Sequence, residues 1–329
     1  MLILYLLVTL TSIFGSFIAK KFLLPPLSVV QKRLLPSLSI EKSLVAQFYH
    51  QGIVWCLSFS PDGQQIGVGG ENDKITFWDL SRTKKAEFQK KDLNCVSFSP
   101  DGQQVAMTGA NGTVEILSRS EQEQLQLSGH QKQVHSVTFS SDGKHIATAG
   151  EEGIVRLWNS SGQLLETWEA DRSGIWSMSF SPDGQQLVTS SRGGRVRRWN
   201  LSGGLLRAWV ASKQAIWSIS FSPDGEQIAT GGTDGKVKLW NLSGEKLTEW
   251  RAHKGEVRSV IFSPNGQQIA TAGDDSTVKL WRKNPRGKLA EFGGYSGRVI
   301  SVSFSPDGQQ IVAAGDDGIA QLWHWRKKD

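Results

Sequence analysis

Cysteine and histidine are the residues of this 329-residue sequence that could bind a metal or do thiol chemistry. The two cysteines, Cys56 and Cys95, stand apart from each other, whereas zinc sites and thiol-redox centres typically use a Cys-x-x-Cys pair. The six histidines show no metal-ligand spacing, and the sequence contains no phosphate-binding loop or nucleophile elbow. We therefore expect a non-catalytic protein with no metal and no cofactor.

Both cysteines belong to an internal repeat. Each lies four residues before the Ser of the phrase Phe-Ser-Pro-Asp-Gly, which occurs five times unchanged and twice with one substitution. The seven Ser residues are spaced by 39, 41, 41, 41, 41 and 42 residues, at Ser60, Ser99, Ser140, Ser181, Ser222, Ser263 and Ser305. Later copies have Ser in place of Cys, so we expect both thiols to be small buried side chains. A regular period of this length indicates a repeat architecture.

Each copy of the repeat predicts four short β-strands. Apolar and polar residues alternate before the Ser, a Pro-Asp-Gly turn follows, and a second turn separates two further β-rich runs. In the sixth copy these runs are residues 268–272 and 277–281, and residues 244–250 show the fourth run at the end of the fifth copy. Helical periodicity is absent from the repeats. The pattern predicts an all-β protein of four-stranded units.

The repeat resembles that of the WD-repeat β-propeller family, whose blades have four strands and about 40–45 residues. The Trp-Asp dipeptide that names the family stands 18 residues after the Ser, as Trp78-Asp79 in the first copy. Five later copies keep the Trp, and the second has Leu117-Ser118. The resemblance covers about residues 43–325 and implies a seven-bladed β-propeller of four-stranded antiparallel blades.

The ends of the repeat region predict how the ring closes. The chain ends soon after the third strand of the seventh unit, whereas residues 43–48 resemble the last strand of a blade. This N-terminal strand should complete the seventh blade, because an open ring would leave unpaired strand edges and an uncovered blade face.

The resemblance also implies a structural role for two of the histidines. In this family a His, a Ser or Thr, an acidic residue and the Trp of one blade form a hydrogen-bonded tetrad. The sixth copy has His253, Thr271, Asp275 and Trp281, and the third has His130, Thr148, Glu152 and Trp158. These sets resemble a catalytic group in isolation, but the resemblance implies that they rigidify their blades.

Propellers of this family often bind partners on the face formed by the residues that enter the first strand of each blade. The position five residues before the Ser holds Trp55, Asn94, His135, Trp176, Trp217, Arg258 and Ile300. Trp and Arg are enriched at binding hot spots because they combine a large contact area with a polar group. We therefore predict a partner-binding face of Trp55, His135, Trp176, Arg192, Trp217 and Arg258. The alternative is that these tryptophans only pack at the mouth of the channel.

The fourth copy departs from the repeat. Arg198 occupies a position that is Phe, Ile or Leu in every other copy. Four further arginines lie near it in the sequence, at Arg192, Arg195, Arg197 and Arg207. An unpaired buried charge is costly, so Arg198 should be paired or exposed. The cluster indicates either a site for an acidic partner or phosphopeptide, or sequence drift in a tolerant blade.

The first 21 residues predict a membrane anchor. Residues 1–19 carry no charged side chain, and about 18 apolar residues can just span a bilayer as a helix. Basic residues lie downstream, which favours a cytoplasmic location for the rest of the chain. A cleaved signal peptide is disfavoured because no basic residue precedes the apolar run. The alternatives are a misassigned start or a helix packed on the propeller, and either would leave a soluble cytoplasmic protein.

The charge distribution bears on the class of partner. The formal net charge is +6, but residues 1–42 contribute +4 and residues 326–329 contribute +2, so the repeats themselves are neutral. We therefore expect no nucleic-acid partner, and possible membrane association through residues 1–21. The predicted organisation is an anchor (1–21), a Pro/Ser linker (22–42), the propeller (43–325) and a basic tail (326–329).

These observations favour a non-catalytic scaffold for protein–protein interaction, tethered to a membrane with its propeller in the cytoplasm. The first alternative is a soluble scaffold of the same fold. The second is a hydrolase or lyase with its active site in the central channel, which would need at least two facing ionisable groups there.

Overall fold

The computed structural model describes residues 40–118, 124–283 and 287–327. The regular elements in these ranges are 28 β-strands, which form seven four-stranded antiparallel sheets. The predicted all-β fold with seven four-stranded blades is confirmed.

Each of the first six blades consists of four consecutive strands. Blade one contains β2 (Val54–Phe59), β3 (Gln65–Gly70), β4 (Lys74–Asp79) and β5 (Lys84–Gln89), and blade two contains β6 (Leu93–Phe98), β7 (Gln104–Gly109), β8 (Val114–Ser118) and β9 (Gln124–Leu127). Blade three contains β10 (Val134–Phe139), β11 (His145–Gly150), β12 (Ile154–Asn159) and β13 (Leu164–Glu169), and blade four contains β14 (Ile175–Phe180), β15 (Gln186–Ser191), β16 (Arg195–Asn200) and β17 (Leu205–Val210). Blade five contains β18 (Ile216–Phe221), β19 (Gln227–Gly232), β20 (Lys236–Asn241) and β21 (Lys246–Arg251), and blade six contains β22 (Val257–Phe262), β23 (Gln268–Gly273), β24 (Val278–Arg282) and β25 (Gly287–Phe292). Blade seven combines β26 (Val299–Phe304), β27 (Gln310–Gly315) and β28 (Ile319–Lys327) with β1 (Ile40–Tyr49).

The seven blades form a closed ring. The first strands of successive blades contact one another, and β26 contacts β2, so these strands surround the axis. The ring is closed by β1, which pairs antiparallel with β28 from Ile40 opposite Lys327 to Tyr49 opposite Ile319. This strand is longer than the predicted 43–48, and residues 40–42, which the sequence assigned to the linker, lie in the sheet.

The recurrent Pro-Asp-Gly sequence forms the turn between the first two strands of a blade. Even in blade three, where Ser141 replaces the Pro, Ser140 Oγ donates to Asp142 Oδ1 (2.7 Å) and accepts from the backbone N–H of His145 (2.9 Å). In blade one, Gly63 has a φ of +69°, which only glycine adopts without strain. A Cβ at Gly63 would also lie 3.2 Å from Cδ of Pro306 in blade seven. The phrase therefore recurs because it makes each turn and packs it on the preceding blade.

The hydrophobic core lies between adjacent blades. Leu280 of blade six packs with Phe304 of blade seven in one buried cluster, whereas Trp281 packs with Leu239 of blade five in another. Successive residues of a strand therefore face opposite neighbours, as the strand period requires. Burying each such side chain stabilises the fold by about 1.5–3 kcal/mol. A blade is thus stabilised through both of its neighbours, which is why ring closure matters.

The predicted anchor and most of the predicted linker lie in residues 1–39, outside the described residues. Among the residues that the structure describes, none forms a helix with the length and hydropathy needed to cross a membrane.

Candidate functional site

The seven residues found five positions before the Ser of each repeat meet in one cavity. They enter from the beginnings of the seven first strands and, together with Gln133, line a cavity of about 400 Å³. We call this the mouth cavity; its repeat-derived residues are Trp55, Asn94, His135, Trp176, Trp217, Arg258 and Ile300. A single sequence offset thus defines the entrance of the central channel.

Four side chains from successive blades form a continuous arc along the mouth cavity. His135 stacks on Trp176 with ring centroids 4.0 Å apart, and Trp176 meets Trp217 edge to face at 4.6 Å. The guanidinium of Arg258 lies 5.1 Å from the ring centroid of Trp217, a cation–π distance. Trp55, from blade one, is 37% exposed and is the most accessible of the three tryptophans. The arc is therefore ordered by its own contacts and still reaches solvent.

The mouth cavity carries little free charge. Arg258 donates two hydrogen bonds to Asp274, at 2.7 and 3.2 Å, and its guanidinium lies 2.9 Å from Glu256. Burial lowers the pKa of His135 to about 4, although the charge of Glu151 opposes this shift. The imidazole is therefore neutral at pH 7, and the surface offered at the mouth is mainly aromatic.

Arg192 is the one residue of the predicted face that does not line the mouth cavity. It is exposed, and it follows β15, where its backbone N–H donates to the carbonyl of Gly174 at 3.1 Å. Its side chain therefore belongs to the rim of blade four.

The four tetrad residues of blade six form one hydrogen-bonded chain. His253 Nδ1 lies 2.6 Å from Asp275 Oδ1, and its Nε2 lies 2.8 Å from Thr271 Oγ1. Trp281 Nε1 donates to the same hydroxyl at 3.0 Å. Because a carboxylate only accepts, Nδ1 donates to it, and Nε2 of the neutral ring accepts from the hydroxyl. Burial lowers the pKa of His253, which agrees with a neutral ring.

Blade three contains an equivalent chain, in which the third-strand cation also approaches the histidine. His130 Nε2 lies 2.8 Å from Thr148 Oγ1, which also accepts from Trp158 Nε1 at 2.9 Å. Arg156 donates to Glu152 at 2.9 Å and approaches His130 Nδ1 at 2.6 Å. Burial, followed by the charge of Arg156, lowers the pKa of His130 to about 4. These side chains therefore bind one another within the blade.

Blades two and four contain ion pairs that the sequence interpretation missed. In blade two, the buried Lys90, nine residues before Ser99, lies 2.9 Å from Glu115 on the third strand. In blade four, Asp171 takes the place of the tetrad His and bonds to Arg197 on the third strand. The signal was available, because the equivalent third-strand position is also charged in blades three, five and six, as Arg156, Lys238 and Lys279.

Arg198 is held by the next blade. Its Nη1 donates to the carbonyl of Leu242 at 2.8 Å, and Arg207 Nε donates to the carbonyl of Ser243 at 2.8 Å. Both acceptors lie in the turn between β20 and β21 of blade five. Two members of the predicted arginine cluster therefore bridge blades four and five.

The two cysteines do not have the properties of reactive thiols. Cys56 is buried and Cys95 partly buried, and burial raises the pKa of both thiols. Within the described ranges, no group of three or more His, Cys, Asp and Glu side chains is arranged to hold a metal ion. The ionisable residues that line the mouth cavity are His135 and Arg258, and each is bound by another partner.

Two protein-family models match the chain. The model described as the IFT122 first beta-propeller matches residues 123–323, more than half of the sequence. The model of the eukaryotic translation initiation factor eIF2A matches residues 35–173. No curated protein matches the chain.

Proposed function

The chain belongs to the WD-repeat β-propeller family, and on this premise we propose that it is a non-catalytic protein–protein interaction scaffold. The partner binds at the mouth cavity. Propellers host many functions, so the proposal depends on the residues of this site rather than on the fold.

The arc of His135, Trp176, Trp217 and Arg258 is the observation that carries the proposal. Ring contacts of 4.0 and 4.6 Å fix the two tryptophans before any partner arrives. Groups that are already ordered lose less conformational entropy on binding, so more of the contact energy is available for affinity. A cavity of about 400 Å³ beside the arc can accept a side chain of a partner. Clustered Trp and Arg side chains are typical of binding hot spots.

The same geometry disfavours an active site at the mouth. Acid–base catalysis needs two groups that can exchange protons with a substrate between them. His135 stacks on Trp176, and Arg258 is bound to Asp274. We therefore prefer the scaffold over a hydrolase or lyase.

A comparative pull-down tests the mouth cavity. The baits are the wild-type chain and a variant with Trp176→Ala, Trp217→Ala and Arg258→Ala. Each bait is incubated with a detergent extract of the cells in which the protein naturally occurs. A matched control carries Leu164→Ala, Leu205→Ala and Leu247→Ala, three exposed leucines on the outer strands. All three proteins must first show cooperative thermal unfolding. We expect a partner that is retained by wild type and control and lost by the mouth variant. Equal recovery by all three baits would assign the tryptophans to packing alone.

We also propose that residues 1–21 tether the propeller to a membrane on its cytoplasmic side. The proposal is supported by the charge-free run of residues 1–19 and by the basic residues that follow it. Membrane fractions washed with alkaline carbonate should retain the full chain, whereas a chain lacking residues 1–21 should remain in the supernatant. Release of the full chain by the wash would favour the soluble alternative.

A further inference from the structure

Blade four concentrates positive charge in a propeller whose repeats together carry no net charge. Residues 171–210 contain six arginines and two aspartates, a net charge of +4. Arg198 and Arg207 donate to backbone carbonyls, which do not neutralise their charge. The excess charge of this blade is therefore not compensated within the blade.

A cavity of about 580 Å³ opens on the arginine-rich part of blade four. We call it the arginine groove; the residues that define it are Glu169, Asp171, Arg172, Ser173, Arg195 and Arg197. It shares no lining residue with the mouth cavity. The two surfaces can therefore be altered independently.

The acids of the arginine groove already have partners. Asp171 bonds to Arg197 and accepts from Ser173 Oγ at 2.7 Å. Burial raises the pKa of Asp171, but hydrogen bonds from Ser173 and Arg197 outweigh it and lower the pKa to about 2. At the rim, Arg172 donates to Glu169 at 2.7 Å. These carboxylates therefore neutralise Arg172 and Arg197.

Arg192 and Arg195 stand at the two ends of the short connection between β15 and β16 and have no such partner. Both are exposed, and neither guanidinium belongs to an ion pair within the described ranges. The turn is attached to the groove, because the backbone N–H of Gly193 donates to Ser173 Oγ at 2.9 Å. The position of Arg192 is acidic in four other blades, at Glu71, Glu151, Asp274 and Asp316. Blade four thus reverses the sign that this position usually carries.

We propose that the arginine groove binds an acidic segment of a protein partner through Arg192 and Arg195. Guanidinium groups bind carboxylates with two parallel hydrogen bonds, which suits exposed arginines at the edge of a groove. Single exposed ion pairs are weak, so useful affinity requires several carboxylates on one segment. The ionised Asp171 at the base of the groove disfavours a compact dianion and favours carboxylates spread along the rim. The proposal rests on the proposed function in one respect, namely that the anion belongs to a protein.

Fluorescence anisotropy with a fluorescein-labelled hexaglutamate peptide tests the proposal on the full chain in detergent. The test variant carries Arg192→Ala and Arg195→Ala. The control carries Lys213→Ala and Lys254→Ala, which removes the same charge from exposed lysines near blades five and six. We expect the arginine variant to bind about tenfold more weakly and the lysine variant to stay within about twofold of wild type. Binding should also weaken as salt is raised, because exposed charges are screened.

Three results would overturn the proposal. The first is no binding of hexaglutamate to the wild type. The second is an equal loss in both double variants, which would show a response to net charge alone. The third is tighter binding of a peptide of three phosphoserines, with the same dependence on Arg192 and Arg195, which would identify phosphate as the ligand.

A charge-neutral mouth variant separates this proposal from the proposed function. Trp176→Ala with Trp217→Ala should keep hexaglutamate binding, since neither residue lines the arginine groove. If that variant loses the peptide while the arginine variant keeps it, the groove proposal fails and the mouth gains an acidic ligand. If the pull-down shows no dependence on the mouth but hexaglutamate binding depends on the two arginines, the proposed mouth site fails and the groove stands.

Discussion

Blades six and four have the same apolar frame and different polar interiors. In each, the Trp of the third strand is buried, with 9% exposure for Trp281 and 5% for Trp199. Each of these rings packs against the outer strand of the preceding blade, at 5.7 Å from Trp250 and 6.0 Å from Trp168. The repeat therefore preserves the apolar contacts that join one blade to the next.

The polar residues differ between these two blades. Blade six pairs His253 with both Asp275 and Thr271, and Lys279 donates to Asp275 and to the carbonyl of Ala252. Blade four has Asp171 in place of the His and Gly193 in place of the tetrad acid. Asp171 therefore accepts a hydrogen bond from Arg197 instead of joining a tetrad. In blade six these polar side chains are hydrogen-bonded to one another, whereas blade four leaves arginines at its surface. The difference indicates that apolar packing specifies the blade and that the polar positions can be used for recognition.

Removal of either buried tryptophan gives the largest expected effect. We predict that Trp281→Ala and Trp199→Ala each lower the free energy of unfolding by ~3–5 kcal/mol, because each deletes a buried aromatic ring. The two losses should agree within about 1 kcal/mol, since the burial is nearly equal. Urea denaturation followed by tryptophan fluorescence and circular dichroism measures both. An unchanged stability for Trp281→Ala would refute its place in the core, and a much smaller loss for Trp199→Ala would show that the polar chain contributes more than burial.

Loss of the tetrad hydroxyl should distinguish the two blades more sharply. We predict that Thr271→Val lowers the free energy of unfolding by about 1–3 kcal/mol, because it leaves both His253 Nε2 and Trp281 Nε1 buried without a partner. The matched change Thr189→Val should cost less. Its hydroxyl accepts from Trp199 Nε1 at 3.2 Å, and blade four has no tetrad histidine.

Urea titrations of the two single variants, each made in the wild-type background, compare their free energies of unfolding. Both threonines are buried and Val keeps the side-chain volume, so packing changes should cancel between the variants. Equal costs would mean that the His253 contact adds nothing to blade six, and the contrast drawn between the two blades would fail.

Features repeated at a constant offset could be predicted from the sequence. The spacing of the Ser residues determined seven blades, and the offset of five residues identified all seven repeat-derived residues of the mouth cavity. The pairs Asp171–Arg197 and Lys90–Glu115 were missed because they join residues 26 and 25 positions apart on different elements. Their pairing depends on side-chain reach and on coordinated substitution at two positions. Charge alone marked blade four as unusual, but only the structure separates arginines that bridge blades from those left free.

Replacement of Arg198 by leucine, a residue typical of the repeat at this position, gives the smallest expected effect. It tests whether the arginines that bridge blades differ in function from those that are free at the surface. Arg198→Leu loses one hydrogen bond to the carbonyl of Leu242 but also removes a buried Nε that has no partner among the described residues. Burial, and then the charge of Arg207, lower the pKa of Arg198, so the charge is held at a cost. We therefore predict a change in the free energy of unfolding below about 1 kcal/mol and no change in hexaglutamate binding, measured by urea titration and by anisotropy.

A larger destabilisation would mean that the bridge to blade five is required for the ring. Loss of peptide binding with stability intact would extend the anion site to Arg198, and the separation between structural and free arginines in blade four would no longer hold.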